Sequence, residues 1–396
     1  MKIAILSKSD SSGGGASRVA QELQEQLTLS KHQVSHFTKD ATSSPRVPLY
    51  GNYAKKIYML LREIGFQEFI PFELINIYKK HKNEQFDLFH FHDLSTAISP
   101  LTLKQLSKNN KVIMTIHDSS IVTGGCINPL KCTYYKTTCH SCPQKREWPF
   151  GKRVDMSFFF HSLKKYVLKN SNIRFITPSK WMADFVYDTG LISSYPTIIP
   201  NGVDTDKFIV YNKQEIRKKL NLPEKRFIIL LSSSSLNSPF KGIKYALEVI
   251  KQIKGLDPFI LLVGKKDKDI SSLLKEFGTF ETGYISDKKL LNQFYSCADI
   301  FLNTTIADNF PITVLEVMAS GTTNVGFETG GIPEIVSHNI DGLLENDIST
   351  LCKLIQEYTY QNKWLPMGIS ARKKIENNFS LTLFMQRHLE FYHTIF

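Results

Sequence analysis

Two acids, Asp308 and Glu316, stand eight positions apart in the segment DNFPITVLE, with Pro311 between them. Proline suits the first position of a helix, where its missing N–H is one of the orphan groups anyway. The N–H groups of Ile312, Thr313 and Val314 would then point out of the helix start and favour an anion such as a diphosphate. Glu316, a turn further in, offers a carboxylate that can take both hydroxyls of a ribose, while Asp308 faces the opposite, sugar end. The two acids would thus grip a nucleotide-sugar from both ends. The pattern alone is met as well by a helix whose acids merely cap or solvate it, and without further context that plainer reading stands.

Asp204, Thr205 and Asp206 form an acid-x-acid triplet of the kind that holds a divalent metal under a diphosphate. It follows the turn signal Pro200–Asn201–Gly202 and is not at a strand end, so capping is the better reading and no catalytic metal is expected. Cys126, Cys132, Cys139 and Cys142 fall within 17 residues, with His140 among them, whereas Cys297 and Cys352 are isolated. In an intracellular chain four such thiols point to a structural zinc site rather than disulfides, with reduced thiols as the alternative. The glycines Gly13, Gly14 and Gly15 follow the first apolar run but lack the G-x-G-x-x-G spacing, which argues against a nicotinamide dehydrogenase.

These residues need a scaffold, and the chain reads as α/β. Its 396 residues are too many for one ordinary core and fit two domains. The composition, 42% hydrophobic and 22% charged, is that of a globular protein. Strands are expected at Lys2–Leu6, Val34–Phe37, Phe86–His90, Lys111–Ile116 and Arg174–Thr177, alternating with helices such as Ser17–Leu29 and Phe158–Lys169. After the turn at 200–202 the alternation restarts with Arg226–Ser232, Phe259–Val263, Phe280–Tyr284, Asp299–Leu302 and Thr323–Phe327. This predicts two Rossmann-like, doubly wound domains, 1–200 and 201–378, facing a cleft, with ligands outside the strand C-termini. A last helix within 379–396 is expected to cross back onto the first domain.

The net charge of +12 is uneven: residues 1–200 hold 26 Lys and Arg against 15 Asp and Glu. An anionic acceptor or an anionic membrane surface would suit that excess, as would mere solubility. The stretch Tyr53–Lys82 is amphipathic, with Lys55, Lys56, Arg62, Lys79, Lys80 and Lys82. It either rests on a membrane or packs its apolar face on the domain, and packing is the commoner outcome. No apolar run approaches the roughly 18 residues of a membrane span, and no leader pattern opens the chain, so a cytoplasmic protein is expected, peripheral at most on the inner membrane face. No basic stripe interleaved with aromatics marks a nucleic-acid surface.

The segment DNFPITVLEVMASG, followed by Glu328-Thr329-Gly330-Gly331-Ile332-Pro333-Glu334, resembles the signature of the retaining glycosyltransferases of family 4, which have the GT-B fold. That family carries an acid-x7-Glu motif, usually with Glu first; Asp308 stands in here, as in a bacterial polysaccharide-synthesis subset. Gly13–Gly15, Ile116-His117-Asp118, Thr177-Pro178-Ser179, Pro200–Asp204, Lys241-Gly242, Val263-Gly264, Gly283-Tyr284-Ile285 and Asp341–Leu344 continue the resemblance in order. The order and spacing together carry it, where any one motif would be weak.

The resemblance implies a role for each position. Lys241 would hold the donor diphosphate and counter the charge on the leaving nucleotide. Glu316 would bind the ribose, with Thr313 and Val314 at the phosphates and the backbone near Tyr284 and Ile285 at the base. Asp308 would contact the sugar, with Asn309, Phe310 and Pro311 shaping its pocket. Gly13, Gly14 and Gly15 would let the backbone approach the phosphates, and His117 would lie near the anomeric carbon. Similar enzymes often carry an Arg six residues before the Lys; here Ser235 occupies that place, and donor affinity would rest on serine hydroxyls and Lys241. A Cys-rich insert beginning TGGC and ending CxxCP also occurs in the polysaccharide subset.

The implied function is retaining transfer of a sugar from a nucleotide-diphosphate sugar to a glycan acceptor, lipid-linked through a polyprenyl carrier, in capsule or O-antigen synthesis. A nucleotide-sugar epimerase of the same fold, or a non-catalytic glycosyltransferase-like subunit, are the alternatives. The epimerase needs acid and base groups flanking the sugar, for which His117 is the one obvious candidate.

Overall fold

The structure is a computed structural model that describes the chain except residues 11–12, 40, 42–44, 67, 93, 148–153, 234–237 and 266–267. It divides into two compact units, Met1–Pro200 with Arg387–Phe396, and Asn201–Gln386. The helix Leu381–His393 therefore begins in the second unit and ends in the first.

The first unit holds seven strands: β1 (Lys2–Leu6), β2 (Gln33–Thr38), β3 (Arg46–Pro48), β4 (Leu88–Phe91), β5 (Lys111–Thr115), β6 (Ile173–Thr177) and β7 (Thr197–Ile198). Their order is β3-β2-β1-β4-β5-β6-β7 and every pair is parallel. The register sets Ile3 between Val34 and Leu88, at the centre of the sheet. Helices Gly15–Leu29, Pro100–Leu106, Ser157–Lys169 and Lys180–Tyr187 supply the crossovers, and the last is started by the Ser179 hydroxyl, which accepts from the Met182 N–H at 3.1 Å.

The second unit holds β8 (Ile228–Ser233), β9 (Phe259–Gly264), β10 (Thr279–Glu281), β11 (Ile300–Asn303), β12 (Thr323–Gly326) and β13 (Gly342–Leu344), in the order β10-β9-β8-β11-β12-β13. β8, β9 and β11 are largely apolar runs because both sheet faces are covered. Successive residues feed opposite cores. Ile228, Leu230, Leu261 and Phe301 join one cluster, while Ile229, Leu231, Ile260 and Leu302 join the other.

The stretch expected as one amphipathic segment, Tyr53–Lys82, is two helices, Asn52–Glu63 and Glu73–Glu84. The first packs only a narrow stripe inward. Tyr58 is buried and stacks on Tyr50 at 5.2 Å, and Ala54 packs against the core, whereas Tyr53, Ile57, Met59, Leu60 and Ile64 stay exposed. The expected packing on the domain is thus met at Ala54 and Tyr58, while the other apolar residues just named stay outside it.

Candidate functional site

In the second unit β8 and β11 lie side by side, with Ile300 paired to Ile229. Chain leaves both strands at the same sheet edge, and that edge gathers the charged residues. Lys241 ends the short turn Pro239–Lys241 that follows β8. Gly242 then takes φ 60°, and a Cβ there would come within 2.0 Å of the Thr304 carbonyl oxygen. Thr304 also donates its hydroxyl to the Gly242 carbonyl at 3.0 Å. Lys241 is therefore clamped to the loop leaving β11.

That loop runs from Thr304 to Pro311 and carries Asp308. Gly330 lies directly on it, at φ 59°, where a Cβ would sit 1.8 Å from the Asp308 carbonyl oxygen, and Gly331 donates its N–H to the same oxygen at 3.3 Å. Only glycine allows so close an approach at this φ. The outcome is an ion pair: Lys241 Nζ lies 2.8 Å from Asp308 Oδ2, with both side chains part-exposed. Beneath it a cavity of about 20 Å³ is lined by Ser232, Ser233, Lys241, Asn303, Thr304 and Thr305.

The helix after Asp308 spans Ile312–Ala319, so Pro311 is its N-cap, one place earlier than expected, with an extended ψ of 118°. Val314 donates its N–H to the Pro311 carbonyl at 3.1 Å. The expected fan of three N–H groups shrinks accordingly to those of Ile312 and Thr313, because the tight first turn consumes the third. Glu316 is buried one turn in. Phe310 lies deeper than Asp308 in this loop. It is buried against Phe379 at 5.6 Å, and its carbonyl accepts from the Asn201 side chain at 3.0 Å, which anchors the loop from below. Asn309 is buried beside it. Tyr284 and Ile285 follow β10 at the same sheet edge, with Tyr284 exposed. Ser235 lies outside the described residues.

The first unit gathers different groups at the corresponding edge. Gly13, Gly14 and Gly15 follow β1, with Gly14 as the N-cap of the helix Gly15–Leu29 and open space where its side chain would be. His117 follows β5, and its Nε2 lies 3.1 Å from His92 Nδ1, with the two rings stacked at 5.3 Å. His90 sits beside them, bonded to the Tyr392 hydroxyl at 2.6 Å and to Thr115 Oγ1 at 2.7 Å. Burial, then the neighbouring His388, pushes the His117 pKa down to about 3. Burial and the surrounding rings hold His90 and His92 well below the usual histidine range. These rings are neutral. The cluster escaped the sequence reading, although the alternation FHFH does place His90 and His92 on one strand face.

Asp204 caps its own turn: Oδ1 accepts from the N–H groups of Asp206 at 3.2 Å and Lys207 at 3.1 Å, and Oδ2 pairs with Lys207 at 2.7 Å. The four clustered cysteines, Cys126, Cys132, Cys139 and Cys142, do line one cavity of about 20 Å³, together with His140. Their chemistry is right for zinc, but among the described residues no three His, Cys, Asp or Glu side chains are arranged to hold a metal ion. Burial pushes the Cys126 thiol up to about 12 and raises Cys139 and Cys142 too, with the neighbouring thiols acting in the same direction.

Residues 13–207 match the family described as Glycosyltransferase Family 4, and residues 227–359 match Glycosyl transferases group 1. A lipopolysaccharide 1,2-N-acetylglucosaminetransferase of Salmonella typhimurium is 27% identical over 199 residues, 46% of this chain and 51% of that protein. A UDP-Gal:alpha-D-GlcNAc-diphosphoundecaprenol alpha-1,3-galactosyltransferase of Escherichia coli is 22% identical over 321 residues, 78% of this chain and 75% of that protein. The chain thus spans about half the length of the first relative and three quarters of the second. The crystal structure of Anabaena HepE in complex with UDP-glucose superposes with a TM-score of 0.71 at 14% identity, covering 100% of both chains. That likeness shows the fold, the GT-B architecture of two Rossmann-like domains. Each of the two family matches falls on one of the two sheets, so that both halves point the same way: the chain belongs to glycosyltransferase family 4.

Proposed function

We propose that the chain transfers a sugar, with retention of configuration, from a nucleotide-diphosphate sugar to a lipid-linked glycan acceptor in the synthesis of a bacterial surface polysaccharide. The observation that carries this reading is the Lys241–Asp308 pair, fixed by Gly242 and Gly330 beside the start of the helix Ile312–Ala319. It combines one cation, one acid and two outward N–H groups at a single strand edge, as a diphosphate with a sugar attached requires. The name of the Escherichia coli relative, with its UDP-sugar donor and diphosphoundecaprenol acceptor, supports the donor and acceptor classes. The lipopolysaccharide transferase of Salmonella typhimurium supports the polysaccharide setting.

In this reading the Lys241 ammonium and the N–H groups of Ile312 and Thr313 hold the diphosphate. Glu316 takes the ribose hydroxyls, the backbone at Tyr284 and Ile285 meets the base, and Asp308 takes donor-sugar hydroxyls. The bond from the anomeric carbon to the phosphate oxygen breaks, and its electron pair leaves with the nucleoside diphosphate. The acceptor hydroxyl attacks the same face of the sugar and gives its proton to a phosphate oxygen. Lys241 stabilises the charge that grows on the leaving group. His117, uncharged, suits a sugar hydroxyl rather than a phosphate.

A panel of nucleotide-sugars tested by thermal unfolding identifies the donor, since a ligand at about 100 times its Kd stabilises by about 2.7 kcal/mol. The matched donor should release nucleoside diphosphate slowly in water, and NMR of the glycosylated product should show the donor's anomeric configuration. No stabilisation by any donor, together with no release, would refute the reading.

A further inference from the structure

We infer that His92 is a positioning residue for His117: it holds that ring in the tautomer protonated at Nδ1, so that His117 meets its substrate as a donor and not as a base. This deepens the transfer reaction proposed above and rests on the placing of His117 at the donor sugar.

Strands β4 and β5 pair as far as Phe91 with Met114, so His92 and His117 leave neighbouring strands at one sheet edge. There His92 Nδ1 lies 3.1 Å from His117 Nε2. The His90 ring, two residues back, backs that of His92 at 4.3 Å. His90 is satisfied as a buried histidine ordinarily is, with the Tyr392 hydroxyl on one nitrogen and Thr115 on the other. His92 is not. Its ring is fully buried, and among the described residues its Nε2 has no hydrogen-bond partner. A stranded polar nitrogen destabilises a core, and a phenylalanine, which this strand carries at 89 and 91, would strand none. What histidine adds at position 92 is the bond to His117.

Burial keeps both rings neutral, so the contact joins one N–H to one lone pair. Were His117 the donor, His92 would carry its own proton on the stranded Nε2. A buried N–H without an acceptor is rarer in native structures than an acceptor left unpaired. With His92 as the donor, only a lone pair is stranded. The proton of His92 is therefore on Nδ1, His117 accepts it at Nε2, and the proton of His117 is on its own Nδ1. The basic nitrogen of His117 is thereby occupied. The ring can donate an N–H to a sugar hydroxyl, but it cannot take a proton from the acceptor or from the sugar. The acceptor's proton must leave by another route, such as the phosphate oxygen, and an epimerase of this fold would lose its candidate base.

The decisive measurement uses the free protein with nitrogen-15 in its histidine rings. Long-range nitrogen–proton correlation spectra should show His117 protonated at Nδ1 and bare at Nε2, the signals being assigned by their loss in His117→Asn. His92→Phe keeps an aromatic ring and removes the donor. His117 should then show both tautomers, and kcat with the matched donor should fall about tenfold, the worth of one neutral hydrogen bond, with KM little changed. His92→Asn, whose amide nitrogen can take the place of Nδ1, should recover most of the loss. Melting temperatures of both variants separate this effect from misfolding, and the spectrum of the parent needs no variant at 92. A parent His117 protonated at Nε2 would overturn the inference, as would full kcat in a folded His92→Phe or no recovery in His92→Asn. If the parent turns over no donor at all, the transfer reaction fails, while the spectra still decide whether His92 sets the tautomer.

Discussion

The two sheets have one strand order and carry opposite chemistry at their edges. In each, the order counted from the first strand of the unit begins 3-2-1-4-5-6, the first sheet adding a seventh strand at its edge, and in each the chain leaves neighbouring central strands toward one edge. The second unit places an ion pair and a helix start there. The first places stacked histidines that burial keeps neutral. Topology therefore decides where a site is, and the side chains that a few glycines and turns hold there decide what it binds. A charged edge suits a phosphate; an uncharged hydrogen-bonding edge suits hydroxyls.

The largest expected effect tests the charged edge. Lys241→Ala should lower donor turnover by about 10²–10³-fold, the size seen when one stabilising donor is removed from a developing anion. The melting temperature should hold, because the lysine is part-exposed. Unchanged turnover would erase the contrast between the edges. Gly330→Ala comes next. The new Cβ meets the Asp308 carbonyl at 1.8 Å in a left-handed backbone, so unfolding should become easier by about 2 kcal/mol or more, with loss of the Lys241–Asp308 geometry. A crystal structure showing the pair intact would break the link between the glycine and the site.

Acid should find the first unit before the second. Burial, aided by Arg46, pushes the His36 pKa down to about 4 from 6.5. Its folded value is depressed, so the unfolded chain binds the extra proton, and the stability present above pH 6.5 is lost as the pH falls toward 4. His36 alone should remove about 2 kcal/mol between pH 7 and pH 5, and His117 acts in the same direction. Hydrogen exchange at the two pH values should show amides of β1, β2 and β4 opening first; equal loosening of β8 and β11 would contradict this. The smallest effect concerns the ion pair. Asp308→Asn should release Lys241 and tighten nucleoside diphosphate by about two- to fivefold, as an ion pair of this exposure allows, while turnover falls. Calorimetric titration would show the tightening, and weaker binding would show that the acid helps to hold the nucleotide.

Much of this was legible in the sequence because it depends on local periodicity. The apolar runs at Lys2–Leu6 and Phe259–Val263 became β1 and β9 almost residue for residue, since a strand buried on both faces has no other composition. The short edge strands β3, β7 and β13 were not legible. Two or three residues such as Thr197 and Ile198 have no period, and their pairing is supplied by a neighbour already in place. At the site, Asp308 and Glu316 stood out by spacing, and Lys241 only through the family resemblance. That Lys241 and Asp308 would meet, 67 positions apart, depends on β8 and β11 being adjacent. The His90–Tyr392 bond spans 302 positions and could be seen only in the fold. The contact of Phe310 with Phe379, 69 positions away, was likewise visible only in the fold.

Because residues 387–396 complete the first unit, the ribosome supplies that unit's last piece after the whole of the second. At usual elongation rates the gap is on the order of 10–40 s, during which the His90 ring lacks Tyr392. A chain cut after residue 200 would be a first unit without its closing helix, and the histidine edge would be the part left open to water.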